Sequence, residues 1–202
     1  MDDRLEITRQ TYQRYASRFA RNHWSADLSR GYQAFGARLE RGAHILEIGC
    51  GPGRDIAGLR AIGFQVTGVD LSLAMLGEAR ERVGGDLLAG DMLHLPMNTQ
   101  FDGAWLAASL LHIPKKQAPA VLNEVGRLLR RDGLMYVSLK SGQGEEWQGN
   151  REGQRFFAYY EMPELEAVIE ATGFAVIESW DERIAATTWL SVVGQKSEVF
   201  NG

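Results

Sequence analysis

At 202 residues, 45% of them hydrophobic, the chain is long enough to bury one sizeable core and is expected to form a single domain over residues 1–202. A net charge of −4 offers no overall basic surface to nucleic acid or membrane, and a single cysteine, Cys50, excludes an intrachain disulfide and an all-cysteine zinc site. No apolar run approaches the ~20 residues of a membrane span, and the start, Met-Asp-Asp-Arg, lacks the basic and apolar stretches of a secretory signal, so a cytoplasmic protein is expected.

Residues 3–22 set Tyr12, Tyr15 and Phe19 on one helical stripe, and residues 26–40 repeat the pattern with Leu28, Tyr32, Phe35 and Leu39. Two helices are therefore expected before the first strand, as a helical lid region over 1–41 ahead of a core over 42–202. Ile45, Leu46 and Ile48 around Glu47 read as a buried strand, which runs into Gly49-Cys50-Gly51-Pro52-Gly53 and then a helix over 54–62. A strand that stops in alternating glycines and turns into a helix suits a nucleoside: bare backbone admits a ligand where a Cβ would collide, and the loop's free N–H groups face it. The dinucleotide fingerprint needs its third glycine where Arg54 stands, and the phosphate loop needs a Gly-Lys-Ser/Thr ending that is absent. A glycine-rich turn without a ligand is the competing reading.

Strand two, 64–70, ends in Asp70, and Ser72 caps a helix to about Val83. A short strand at 86–89 leads to Asp91-Met92, a fourth strand covers 101–108, a helix spans 115–131, and strand five runs from Leu134 to Lys140. Residues 141–156 lack clear periodicity and are expected to form a long loop. A helix from Met162 to Thr172 and two strands, 174–180 and 187–194, close the chain; with no helix between them, those strands should pair antiparallel. Strands alternating with helices predict a doubly wound α/β fold, a seven-stranded, mostly parallel Rossmann-like sheet with one antiparallel strand at an edge. Its ligand crevice should lie at the carboxyl ends of the strands, beside strand one. There Asp70 can accept ribose hydroxyls, a role shared with nicotinamide enzymes; for Asp91 a helix cap is the competing reading, although Leu93-His94-Leu95-Pro96 makes a poor helix.

Glu47-x-Gly49-x-Gly51-x-Gly53 resembles motif I of the class I S-adenosylmethionine-dependent methyltransferases. The resemblance continues through Val69-Asp70-Leu71-Ser72, Gly90-Asp91-Met92, Phe101-Asp102-Gly103, Leu110-Leu111-His112-Ile113-Pro114 and Gly173-Phe174, and so covers nearly the whole chain. It implies S-adenosylmethionine as cofactor and S-adenosylhomocysteine as product. Glu47, Gly49, Gly51 and Gly53 would pass under the methionine part, whose ammonium needs acceptors, with carbonyls near Ala107 adding to them. Asp70, with Leu71 beside it, would take the ribose, Asp91 the adenine amine, and Met92 the ring face. Tyr12-Gln13-x-x-Ala16-x-x-Phe19 resembles a helix that covers the cofactor in many members; Gln13 and Phe19 depart from its Tyr-Asp-x-x-Ala-x-x-Tyr pattern, so only Tyr12 is carried over.

A free-standing enzyme acting on an O, N or C nucleophile of a small molecule is the function so implied, with no nucleic-acid or membrane partner and a monomeric or homodimeric state. RNA or protein as acceptor, a nicotinamide oxidoreductase and a non-catalytic cofactor-binding module are the alternatives. An activated methyl needs positioning and, for some acceptors, proton removal. His112 is the candidate base, or else a packed histidine that orients its loop. Arg155, Tyr159 and Tyr160 are candidates for the far wall of the acceptor pocket, where an arginine suits a carboxylate or phosphate; a surface arginine is the plainer reading. Histidines and acids form no local cluster, and no metal is expected.

Overall fold

The computed structural model describes residues 2–24, 27–150 and 153–197. Seven strands form the main sheet: β1 (His44–Ile48), β2 (Gln65–Asp70), β3 (Asp86–Ala89), β4 (Phe101–Ala107), β5 (Leu129–Lys140), β8 (Phe174–Ile184) and β9 (Thr187–Lys196). Their spatial order is β3-β2-β1-β4-β5-β9-β8. The first five pair in parallel, and β9 is antiparallel to both β5 and β8. The two final strands thus pair as expected, the reversed strand lying one place in from the edge. Helices α3 (Arg54–Ala61), α4 (Leu73–Arg82), α5 (Ala118–Leu128) and α6 (Met162–Ala171) supply or flank the connections.

Alternation along the strands divides one apolar sequence run between two cores. Leu46, Ile48, Ala104, Leu106, Met135 and Val137 face Val121, Leu122 and Val125 of α5. Their neighbours Ile45, Trp105 and Tyr136 face the other way, towards Phe35, Ile56 and Leu59. Trp105 is fully buried in that second layer, stacked on Tyr136 at 3.8 Å between centroids and on Tyr32 at 5.1 Å.

Two helices precede β1. The first, α1 (Asp3–His23), starts at Asp2, whose carboxylate accepts the Arg4 N–H at 2.9 Å; the second, α2 (Ser29–Gly36), is shorter than the 26–40 expected. Ala26, its expected start, lies outside the described residues. Non-helical backbone at Tyr15 kinks α1. Before the kink, Thr8 and Thr11 bond to Phe156 and Gln154 and Gln13 accepts from Ser72 and Ala74 at the start of α4; after it, Ala16 and Phe19 pack on Met75 of α4.

Two expectations need correction. Residues 141–156 are no loop; they carry most of a hairpin, β6 (Glu145–Asn150) with β7 (Gly153–Ala158), paired Trp147 with Phe156. Arg151 and Glu152, within that stretch, lie outside the described residues. The helix expected over 115–131 is confined to α5, with Pro119 in its first turn and a tight 3-10 turn over Lys115–Gln117 before it. At Leu129 the chain already pairs with Phe101 of β4.

Candidate active site

The carboxyl ends of β1 to β5 and the underside of α1 enclose a cavity of about 310 Å³. Its floor is the turn after β1. The N–H groups of Gly49 and Cys50 both donate to the Val69 carbonyl, at 2.8 and 3.0 Å, which ties the loop to β2. Gly51 has φ +51°, and a Cβ built there meets nothing within 4 Å: it would project into the cavity. At Gly49 a Cβ would collide with Ser109 at 2.5 Å, and at Gly53 with Val83 at 2.6 Å, so these two glycines serve close packing. Gly49 still borders the cavity; Gly53, at the start of α3, does not.

Asp70 holds the loop from the side. One carboxylate oxygen accepts the Gly51 N–H at 2.8 Å and the other the Ser72 N–H at 2.8 Å. Burial pushes its pKa up, and these backbone donors oppose the rise. Leu71 and Met92 line the cavity beside it. Asp91 also lines it, and its carboxylate accepts the Leu93 N–H at 3.0 Å in a turn closed by pairing with His94. No helix follows Asp91, which removes the helix-cap reading.

Glu47 is 3% exposed, and among the described residues its Oε2 has no hydrogen-bond partner. Burial, with Asp55 and Asp70 nearby, holds its pKa well above the usual carboxylate range despite Arg54. Asp55 contrasts with it: its carboxylate accepts from Arg54 at 2.6 and 2.9 Å, from Tyr32 at 2.8 Å and from the Trp105 indole at 3.2 Å. Ser109 Oγ is the second buried orphan on the cavity wall, next to Ala107 and Ala108. Buried polar groups ordinarily have partners. A glycine cradle with an orphaned carboxylate oxygen and an orphaned hydroxyl fits a ligand that brings an ammonium and backbone-hugging atoms.

Across the cavity stand Tyr12 and His112. The His112 Nδ1 lies 2.7 Å from the Phe156 carbonyl and Nε2 lies 2.7 Å from the Tyr12 hydroxyl. A carbonyl only accepts, so Nδ1 carries the proton and neutral Nε2 accepts from Tyr12. Burial lowers the pKa of the ring to about 3, with Arg155 and Lys140 lowering it further against the pull of the Phe156 carbonyl. Both ring nitrogens are engaged, which does not favour His112 as a base acting directly on an acceptor. Arg155 reaches the same Tyr12 oxygen at 3.4 Å.

Arg155 borders the cavity; Tyr159 and Tyr160 do not. The Tyr159 hydroxyl donates to Glu146 on the hairpin at 3.0 Å, and Tyr160 is buried in the α5 core beneath Lys115. Lys140, Phe157, Trp189 and Ser109 line the cavity and were not singled out from the sequence. A position at the carboxyl end of a parallel strand, which Lys140 occupies, was the available signal. Among the described residues no group of three or more potential ligands could hold a metal ion, and no helix is long and apolar enough to cross a membrane.

The fold and the glycine turn at its switch point define a Rossmann-like nucleoside-binding domain. Residues 45–133 match the family model described as a methyltransferase domain. The O-methyltransferase resE of Aspergillus sclerotiorum is 30% identical over 166 residues, covering 73% of this chain and 61% of that protein. Penicillium expansum O-methyltransferase cnsE is 30% identical over 164 residues, covering 73% and 58%. The chain thus spans about 60% of the length of these relatives. A crystal structure of the Burkholderia thailandensis 1,6-didemethyltoxoflavin-N1-methyltransferase, with 1,6-didemethyltoxoflavin and S-adenosylhomocysteine bound, superposes with a TM-score of 0.79 at 24% identity, over 96% of this chain and 88% of that one. The domain match and these relatives, on a shared fold, support a class I S-adenosylmethionine-dependent methyltransferase.

Proposed function

We propose that this chain transfers the methyl group of S-adenosylmethionine to an O, N or C nucleophile of a small molecule, releasing S-adenosylhomocysteine. The observation that carries the reading is the covered cavity at the strand ends, with Gly51 open to it and Glu47 Oε2 orphaned in its wall. Glu47 and the carbonyl side of Ala107 would hold the cofactor's ammonium, Asp70 its ribose, and Asp91 with Met92 its base, while Tyr12 covers it. When bound, that cofactor supplies an activated sulfonium methyl for in-line attack. The protein's own part is to seat the acceptor, exclude water beneath α1, and orient Tyr12 through His112, so that the Tyr12 oxygen is the polar atom presented to the acceptor.

A small acceptor suits an enclosed site in a chain of net charge −4, and neither nucleic acid nor membrane is proposed as partner. The proposal includes a cytoplasmic setting, in keeping with a single, buried cysteine, and a monomer or homodimer. A small-molecule acceptor library, screened for S-adenosylhomocysteine formation with wild type and Gly51→Val, tests it. Valine at Gly51 puts a branched side chain into the cavity at a φ that side chains avoid. Turnover by wild type alone is expected. A wild type that binds S-adenosylmethionine but forms no product with any acceptor would replace this reading with a non-catalytic binding module.

A further inference from the structure

Charge divides the cavity along the sheet. Glu47, Asp70 and Asp91 stand over β1, β2 and β3, whereas Lys140 ends β5 and Arg155 lies on β7, beyond Tyr12 and His112. Lys140 Nζ is 4.2 Å from the centroid of the Phe157 ring, and the Arg155 guanidinium carbon is 5.2 Å from the same centroid. Both cations face the cavity. Among the described residues neither has a carboxylate within ion-pair distance, although Arg54, Arg9 and Lys115 are paired with Asp55, Glu6 and Glu164 at 2.6, 2.6 and 2.7 Å. Burial lowers the Lys140 pKa and Arg155 lowers it further, with the Glu146 carboxylate on β6 partly opposing them from beyond ion-pair distance.

Two like charges on one ring, partly withdrawn from water, repel each other and lose hydration. Contact with the Phe157 face, and for Arg155 also with the Phe19 and Tyr12 rings, recovers only part of this. An anion between them would remove the repulsion and add charge-assisted hydrogen bonds, for which the arginine's planar fork matches a carboxylate. Trp189, opposite Lys140 on β9, adds an apolar wall to the same end of the cavity.

We infer that Lys140 and Arg155 form the seat for a carboxylate carried by the methyl acceptor, with Phe157 and Trp189 packing against the acceptor's apolar body. This rests on reading the cavity as a methyltransferase site. It adds the substrate class: compact carboxylic acids, anionic at the end remote from Glu47 and Asp70.

The test is calorimetry on protein saturated with S-adenosylhomocysteine, using matched acids and primary amides: benzoate, salicylate, phenylacetate and hexanoate against benzamide, salicylamide, phenylacetamide and hexanamide. At least one acid should bind about tenfold or more tightly than its amide, the effect of hydrogen bonds to a charged group. Lys140→Met and Arg155→Met should each abolish most of that preference. Arg155→Lys, which keeps the charge and loses the fork, should retain part of it. S-adenosylhomocysteine binding by the same variants reports that fold and cofactor end persist. Equal binding of acids and amides by wild type, or a preference surviving in both methionine variants, overturns the carboxylate seat. Failure of wild type to bind S-adenosylhomocysteine would instead overturn the underlying reading of the site.

Discussion

His112 faces the cavity with its chemistry already committed. Its Nδ1 proton is held by the Phe156 carbonyl, so Nε2 can only accept, and Tyr12 fills that position. The ring's pKa is depressed from 6.5 to about 3 by burial first, so the unfolded chain binds this proton more tightly than the folded one. The stability that neutral His112 contributes is therefore complete above pH 6.5 and is lost as pH falls towards 3. In the same way, no histidine inflection from this residue is expected in the rate–pH profile between about pH 5 and 8. If His112 works by orienting the Tyr12 hydroxyl, Tyr12→Phe and His112→Ala each lower single-turnover transfer by about 10²-fold, the scale of a misplaced reacting group. Cofactor affinity should change far less. The double variant should be no worse than the poorer single one, because the pair acts as a unit. Losses that multiply, or a histidine inflection abolished by His112→Ala, would restore the ring as an independent base.

Among the elements, the central parallel strands β1, β2, β4 and β5 were legible because they are largely buried and read as apolar runs between turn residues, whereas the largely exposed β3 was legible from the glycines on either side of it. The hairpin was not. β6 carries one large apolar residue, Trp147, among Glu145, Glu146, Gln148 and Asn150, since its surface faces water and little in it alternates. What holds β7 is remote in sequence: the Phe156 N–H donates to Thr8 Oγ1 at 3.0 Å, and Thr11 Oγ1 donates to the Gln154 carbonyl at 2.7 Å, both from α1. The same remoteness hid Lys140 and Trp189, which join Arg155 at the cavity's basic end only when β5, β7 and β9 meet. Tyr160 misled for a related reason: two adjacent strand-end tyrosines point opposite ways, and only tertiary packing decides which is buried. Thr8→Val keeps the side-chain shape and leaves the buried Phe156 donor without its acceptor. A loss of about 1–3 kcal/mol in urea denaturation is expected. Unchanged stability in that variant would show that this hydrogen bond does not fasten α1 to the hairpin.

For the molecule as a whole, the strand order β3-β2-β1-β4-β5-β9-β8 brings residues far apart in the chain to one edge of the sheet. The glycine turn after β1, Asp70 after β2, Asp91 after β3 and the 107–109 segment after β4 converge there, and α1 closes over them by docking on α4 and β7. A ligand held among these parts touches most of the carboxyl edge and α1 together, so its binding is coupled to the stability of the fold. At 100 times its Kd, a ligand that binds only the folded chain stabilises it by about 2.7 kcal/mol. For a chain of this size each kcal/mol corresponds to roughly 2–4 °C in Tm. S-adenosylhomocysteine should therefore raise the melting temperature by about 5–11 °C at that saturation. NADH at the same concentration should leave it unchanged, because Arg54 stands where a pyrophosphate-binding turn needs its third glycine. Gly51→Val should melt without response to either compound, its side chain occupying the floor of the cavity. Differential scanning calorimetry decides between the ligands: a shift with NADH equal to that with S-adenosylhomocysteine would make the glycine turn a general nucleotide cradle, and a ligand response retained by Gly51→Val would move the binding site elsewhere.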